Sequence, residues 1–444
     1  MMGDQKRVEL SIFWFRRDLR LDDNAGLFEA LKNCGSVLPL FIFDVDILDT
    51  LPNNADKRVA FIHAAVTELH NQLLKVGSSM WVMMGSPLSV FEKLLFDFSV
   101  TSVYANSDYE PETMQRDAAV STFLSSKGVA FKLFKDQVIF EKSEILKVDG
   151  SPFKIFTPYS SVWKQKLKKT KIETFSSEEY LNNFFKTNPR AVPTLHDIGF
   201  KDVETVSCKP VVDESILKHY DKTRNFPYLN GTSNLSVHLR FGTLSIRSLV
   251  KTALDLNEQF LNELIWREFF MMILFHFPHV AGACFKKPYN AIAWRNNEVE
   301  FGKWCRGETG YPMVDAGMRE LNETGLMHNR VRMVVASFLC KHLLIDWRWG
   351  EAYFAEKLLD YELSSNNGNW QWSAGCGCDA APYFRIFNPQ EQIKKFDPDR
   401  RYIQKWVKNL SKSDYPEPIV EHVFARERCL HCYKSSLEVS KMQG

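Results

Sequence analysis

Five short apolar runs in the first 135 residues constrain this chain more than any other feature. They are Leu10–Phe15, Val37–Phe43, Met80–Met84, Ser102–Ala105 and Ala130–Phe134. Stretches with helical spacing lie between them, notably Lys57–Lys75 and Pro87–Phe96. Strands separated by helices are joined by crossovers rather than hairpins, so the repeat predicts a parallel sheet with helices on both faces. Residues 1–135 therefore read as a Rossmann-like α/β domain. No G-x-G-x-x-G follows the first strand, so a dinucleotide fingerprint is missing. The strand runs instead into Arg16-Arg17-Asp18-Leu19-Arg20.

The alternation stops after residue 135. Residues 136–210 mix charge, Ser and Pro with short apolar runs, such as TPYSSVWKQK and TNPRAVPT, and read as a long connector. From 211 to 444 strand signals are absent. Phe260–Phe275, Arg332–Leu344 and Tyr353–Leu359 have helical spacing. A chain of 444 residues exceeds one ordinary core. The fold expected is α/β plus all-α: an α/β domain, a connector and a larger all-helical domain.

Composition narrows the function classes. The net charge is only +2, so nucleic-acid binding would need a local basic patch. Neither a signal peptide nor an 18-residue apolar span is visible, and no membrane role is expected. The nine cysteines are scattered and read as reduced thiols. Cys376/Cys378 and Cys429/Cys432 lie 50 residues apart, a poor zinc spacing, and no metal is expected. Eight of the 11 tryptophans fall between Trp266 and Trp406.

Several segments could carry chemistry. Glu263, Trp266 and Arg267 fall at i, i+3 and i+4 and share a helix face suited to a planar polar ligand. Asn329 and Met333 are i, i+4 partners that set an amide beside a soft apolar wall. Asn366, Asn367, Gly368 and Asn369 read as a polar turn before Trp370 and Trp372. Arg332 and Asp360 suit a buried ion pair, a marker of a tuned site. Thr232-Ser233-Asn234-Leu235-Ser236, ahead of a helix, could cradle a phosphate or simply cap it. Between 385 and 408, Arg385, Lys394, Lys395, Arg400, Arg401, Lys405 and Lys408 interleave with aromatics, as on a phosphate-tracking face. Each segment alone also has an ordinary packing or surface reading.

Jointly, these segments resemble the photolyase/cryptochrome flavoproteins, and within them the class I cyclobutane pyrimidine dimer photolyases. The matching motifs are WFRRDLRLDDNAGL, GTSNLSVHLRFGTLS, NELIWREFF, GYPMVDAGMRELNETGLMHNRVRM and NNGNWQWSAGCGCDAAPYFRIFNP, in the family's order over nearly the whole chain. The resemblance implies FAD in the helical domain. Tyr220 and Thr232, Ser233, Asn234, Leu235 and Ser236 match positions on its phosphates and ribityl chain. Arg332, Asp360, Glu362 and Asn366 match positions about the ring and nearby parts, with Asn366 facing flavin N5. Glu263, Trp266, Asn329, Met333 and Trp372 match the pocket for the flipped lesion. Trp370, Trp347 and Trp294 match a tryptophan chain that photoreduces the flavin. Arg224, Arg330 and Arg385 match DNA contacts. The implied activity is light-driven splitting of pyrimidine dimers by an electron from reduced FAD.

That resemblance also implies partners and alternatives. UV-damaged DNA is the expected substrate, the protein a monomer, and its setting cytoplasmic or otherwise intracellular with DNA. Histidines at the positions of Asn329 and Met333 would mark the (6-4) branch, and neither is present. The main alternative is a blue-light cryptochrome photoreceptor that binds FAD without repair; its usual long tail is not seen. Leu326 stands where some members have Trp, and Glu362 where many have Asp. Residues 108–113 lack the Asn-Glu pair of folate-binding relatives, so a second antenna chromophore would be of another kind, or absent.

Overall fold

The structure, a computed structural model, describes residues 7–408, 410 and 415–442. Strands β1 (Glu9–Phe15), β2 (Val37–Asp44), β3 (Trp81–Gly85), β4 (Ser99–Asn106) and β5 (Ala130–Phe134) form one parallel sheet, in the order β3-β2-β1-β4-β5. All five predicted strands are present within a few residues of their expected ends. Side chains alternate across the sheet. Leu10, Ile12 and Trp14 share one face with Leu38, Leu40 and Ile42. They pack on Val90, Phe91 and Leu94 of the Pro87–Asp97 helix and Val120 and Leu124 of the Pro111–Ser126 helix. Phe13 points the other way, under the Ala25–Asn33 helix, where a Cβ on Gly26 would stand 3.1 Å from its ring.

The arginine-rich turn after β1 has a structural explanation. Arg20 donates to both carboxylate oxygens of Asp136 at 2.8 and 2.7 Å, and Arg247 reaches the same carboxylate at 2.8 Å and Asp23 at 3.0 Å. Arg17 holds Asp108, and Arg16 pairs with Asp117. Burial pushes the Asp136 carboxyl up, but the Arg20 and Arg247 guanidiniums outweigh it and hold the group down at about 2. Replacing Asp136 by Ala should leave the buried Arg20 without its carboxylate and Arg247 with Asp23 alone. We expect a loss of about 3–5 kcal/mol in urea unfolding at neutral pH. The Asp136 contribution should also fade as pH drops from the ordinary carboxylate range through 2.

The described chain forms two compact units. One comprises Met1–Glu141, Lys166–Val212 and Asn234–Asp255; the other comprises Lys142–Gln165, Asp213–Ser233 and Leu256–Gly444. The segment expected to be a connector is thus shared out, and its TPYSSVWKQK stretch is a helix, Phe156–Leu167. Phe156, Tyr159 and Trp163 form an apolar stripe at helical spacing, which the intervening Ser, Pro and Lys obscure in the sequence.

Among its described residues the second unit contains helices and no strand. Its core gathers Trp304, Met313, Val331, Val335, Phe338, Trp347, Phe354 and Trp370. The helix expected over Arg332–Leu344 begins earlier, as Asn329–Ser337, and passes into a π turn at Phe338–His342. None of the described helices is long and apolar enough to cross a membrane.

The Leu363–Ala374 helix overturns the turn predicted at Asn366–Asn369. Tertiary partners satisfy the polar side chains that would otherwise compete with the helix backbone. Asn366 Nδ2 donates to the Glu351 carbonyl at 3.1 Å and carboxylate at 2.9 Å. Asn367 Nδ2 and Gln371 Nε2 both donate to the Val280 carbonyl, at 2.8 and 2.9 Å. Gly368 permits close packing as well: a Cβ there would stand 2.2 Å from the Phe270 ring.

Candidate functional site

Three helices meet the Leu363–Ala374 helix: Glu258–His276, Asn329–Ser337 and Trp347–Lys357. The first carries Glu263 and Trp266, the second Asn329 and Met333, and the third Trp347. Leu363–Ala374 itself carries Asn366, Trp370 and Trp372. Segments far apart in sequence are thus joined through one helix. The close fit is visible at Gly350, where a Cβ would fall 2.1 Å from the Trp370 ring.

Glu263 is fixed from two sides. Arg224 pairs with it, and Gln259 Nε2 donates to it at 2.8 Å. The Arg224 guanidinium also lies over the Tyr220 ring, 5.7 Å from its centroid. Trp266 stacks face to face on Phe156, with centroids 3.8 Å apart and planes 6° apart. Arg267, on the same helix, pairs with Glu362 at 3.1 Å. Glu362 also accepts from Ser365 at 3.0 Å, which ties the helix start to the Glu258–His276 helix.

His328 caps the Asn329–Ser337 helix, with Nδ1 accepting from the Arg330 amide at 3.1 Å. That role requires a neutral ring. Burial, then the nearby Arg330, Arg332 and Arg224 charges, lower its pKa to about 4. Asn329 itself is exposed and Met333 half-buried. Arg332 donates to both oxygens of Asp360 at 3.1 and 2.9 Å, the pairing expected from the sequence. Asp360 is nearly covered, whereas Arg332 stays about a quarter exposed.

Arg330 donates to Asn225 at 2.6 Å and lies 4.3 Å over the Phe396 ring. Its pKa is lowered by burial and by two like charges, Arg224 and Arg385. Arg330 therefore feels the charges of the other two arginines expected to contact DNA, and an anion beside it would relieve the repulsion. The seven cations between Arg385 and Lys408 are all exposed. Phe396 and Tyr402 are buried instead of interleaved on the surface, and they anchor the Pro389–Phe396 and Arg401–Trp406 helices. The patch presents charge, with Phe384 as an exposed ring at its edge.

Trp370 and Trp347 are buried in the apolar cluster, and Trp294 packs against its edge half-buried. Trp347 Nε1 lacks a hydrogen-bond partner of normal geometry. Trp304 is a packing residue: it is fully buried and donates to the Val335 carbonyl at 3.2 Å. Tyr220, Thr232 and Ser233 fall in the second unit; Asn234, Leu235 and Ser236 fall in the first. The helix expected after this loop is Ser236–Phe241. All nine cysteines are free, and among the described residues no group of three His, Cys, Asp or Glu side chains could hold a metal.

The donor set suits a flavin. Both acceptors facing Asn366 Nδ2 belong to Glu351, so the amide oxygen turns away from that contact and is free to meet a donor. Ser364 Oγ, on the same helix, is buried without a partner. With Arg332 and Asp360 these groups offer the donors and acceptors that a flavin's ring and sugar-alcohol chain require. Glu351 and Phe156 were not legible as site residues. The Phe156, Tyr159 and Trp163 spacing could have revealed Phe156; an isolated acid offers no signal for Glu351.

The fold and site define a two-unit flavoprotein with a parallel-sheet unit and a helical unit. Residues 11–177 match DNA photolyase, and residues 260–414 match the FAD binding domain of DNA photolyase. The chain is 36% identical to a deoxyribodipyrimidine photo-lyase of a Synechococcus species, over 93% of each chain. It is 33% identical to that of Escherichia coli, over 96% of this chain and 98% of the relative. It resembles a class III photolyase from Agrobacterium tumefaciens (30% identity, TM-score 0.86, 98% and 99% covered). It also resembles an archaeal photolyase from Sulfolobus tokodaii solved with two FAD molecules (35%, TM-score 0.83, 96% and 100% covered). The chain belongs to the DNA photolyase family.

Proposed function

We infer that this protein is a light-dependent repair enzyme that splits cyclobutane pyrimidine dimers in UV-damaged DNA, with reduced FAD as its catalytic cofactor. The observation that carries the reading is the Leu363–Ala374 helix. It bears Asn366, Trp370 and Trp372 and packs against both helices that carry the candidate lesion residues. Cofactor, substrate and electron path therefore share one rigid element. When bound, reduced FAD supplies the light-driven electron that opens the cyclobutane ring.

The protein's own groups bind and orient. Arg224, Arg330 and Arg385 attract the phosphates flanking an extruded dimer. Trp266 and Trp372 supply apolar faces to the two bases. Asn329 hydrogen-bonds base edges, and Met333 packs beside them. Glu263, held by Gln259 and Arg224, stays oriented toward a base edge where negative charge develops. Arg332 and Asp360 hold the polar chain of the cofactor, Glu362 fixes the helix start, and Asn366 meets the N5 edge. Tyr220 and the Thr232–Ser236 residues serve the phosphates. Trp294, Trp347 and Trp370 carry an electron inward; the half-buried Trp294 suits the outer end, and the other two are both buried.

Two measurements test this. Irradiated oligo-thymidine should regain its thymine absorbance under blue light with reductant. Failure to recover would favour a photoreceptor, a reading kept in view by 26% identity to a Synechocystis cryptochrome. Arg385→Ala should reduce the slope of log affinity against log salt by about one, equally for damaged and undamaged DNA. The protein is further proposed to act as a monomer, inside the cell where DNA is. The parallel-sheet unit is proposed to accept a second chromophore; denatured protein would then release more than one pigment per chain.

A further inference from the structure

We propose that Phe156 is a positioning residue for the lesion, selecting the face of Trp266 that a pyrimidine can occupy. The proposal rests on Trp266 being a lesion wall. The observation is the parallel stack of the two rings, with centroids 3.8 Å apart and a 6° interplanar angle. One indole face is therefore covered by protein, and a base can stack only on the other. Phe269 stands edge-on to both rings, at 5.5 Å from Trp266 and 5.9 Å from Phe156, and blocks rotation of the pair.

The stack is built from outside the lesion helix. Phe156 opens the Phe156–Leu167 helix, and its amide donates to Asp379 Oδ2 at 3.1 Å. Asp379 adopts a left-handed backbone at φ 48°, an uncommon conformation for a residue with a side chain. Further along, Trp163 Nε1 donates to the buried Glu268, and Lys164 pairs with Glu258 at 2.7 Å. The helix therefore runs alongside Glu258–His276 and fixes Trp266 before any substrate arrives. A rigid, prearranged indole is favourable because none of its rotamer freedom remains to be lost when a base stacks. Phe270 also meets Trp266, tilted by 32° at 5.4 Å, so Phe156 is the one ring stacked parallel on Trp266 among the described residues.

The test uses FAD-loaded protein and the affinity ratio for irradiated over unirradiated oligo-thymidine. Phe156→Leu stays apolar, gives up some volume and loses the flat face; it should lower the ratio about tenfold by weakening the stack. Phe156→Tyr should keep the ratio. Phe156→Leu combined with Trp266→Ala should be no worse than Trp266→Ala alone. A wild-type ratio for Phe156→Leu, or additive losses in the double variant, would overturn the proposal. If Trp266→Ala itself keeps the wild-type ratio, the lesion-wall reading fails instead. Flavin content and flavin photoreduction should not change in Phe156→Leu; if either falls, the residue acts on the fold and the proposal is lost.

Discussion

Replacing Asn366 by Asp should make both stability and the flavin's reduction potential fall more steeply with pH than they do in the parent protein. Asn366 is buried, and its amide touches the Glu351 carboxylate at 2.9 Å. Burial already raises the Glu351 pKa. A second carboxylate at this spot would set two like charges about 4 Å apart. At an effective dielectric of about 20, ionising both costs on the order of 4 kcal/mol. The pair would keep a proton well above the ordinary carboxylate range. The folded-state pKa is then raised above its unfolded value, so the variant should be closest to wild type at acid pH. Its stability should fall as pH climbs from about 4 through the raised value. Urea unfolding at pH 5 and pH 8 would show this as a loss larger than the parent's. The potential of bound FAD should drop over the same interval, because extra negative charge at the N5 edge opposes electron uptake. A profile that matches the parent's in both measurements would mean that Glu351 does not address residue 366 as the structure places it.

The second large effect concerns Trp370. Phenylalanine is far harder to oxidise than tryptophan, so Trp370→Phe should slow photoreduction of oxidised flavin by on the order of tenfold or more. Repair by chemically reduced enzyme should survive, because the substitution leaves the Asn366 contacts and the lesion helices in place. Some packing is lost. Trp370 meets Phe354 edge-on at 5.0 Å and Trp304 at 6.1 Å, and the ring fills the space that Gly350 leaves open. Trp304→Phe is the control. Trp304 is also adjacent to Trp370, but it is fully enclosed and bonded to Val335, so photoreduction should continue at the parent rate. Loss of repair in reduced Trp370→Phe would contradict the electron-relay role. An equal loss in Trp304→Phe would show that packing, and not conduction, was disturbed.

Local sequence patterns revealed much of this architecture. Short apolar runs placed all five strands; the three central ones are nearly buried on both faces and leave continuous hydrophobic signals, while β3 and β5 at the edges are more exposed. Helical spacing located the Glu258–His276 helix, and with it the shared origin of Glu263, Trp266 and Arg267. The Arg332–Asp360 pair was also foreseeable from residue type. Other features stayed hidden for a common reason. The polar run from Asn366 to Asn369 looks like a turn until Glu351, Val280 and Ser365 supply its hydrogen bonds. Phe156 sits in a stretch of Ser, Pro and Lys whose apolar stripe is visible only once the helix is drawn. The basic segment from Arg385 to Lys408 kept its charge at the surface but turned Phe396 and Tyr402 inward.

By itself, the sequence determined the α/β and helical halves, the residue types of the proposed flavin and lesion site, and the family they resemble. Those properties follow from periodicity and side-chain chemistry, which are local. Tertiary structure alone decided which donors face which acceptors. It turned the Asn366 amide toward Glu351, laid Phe156 flat on Trp266 and brought Arg330 within reach of the charges of Arg224 and Arg385. Orientation, burial and electrostatic coupling depend on elements separated by tens to hundreds of residues, and no local pattern encodes them.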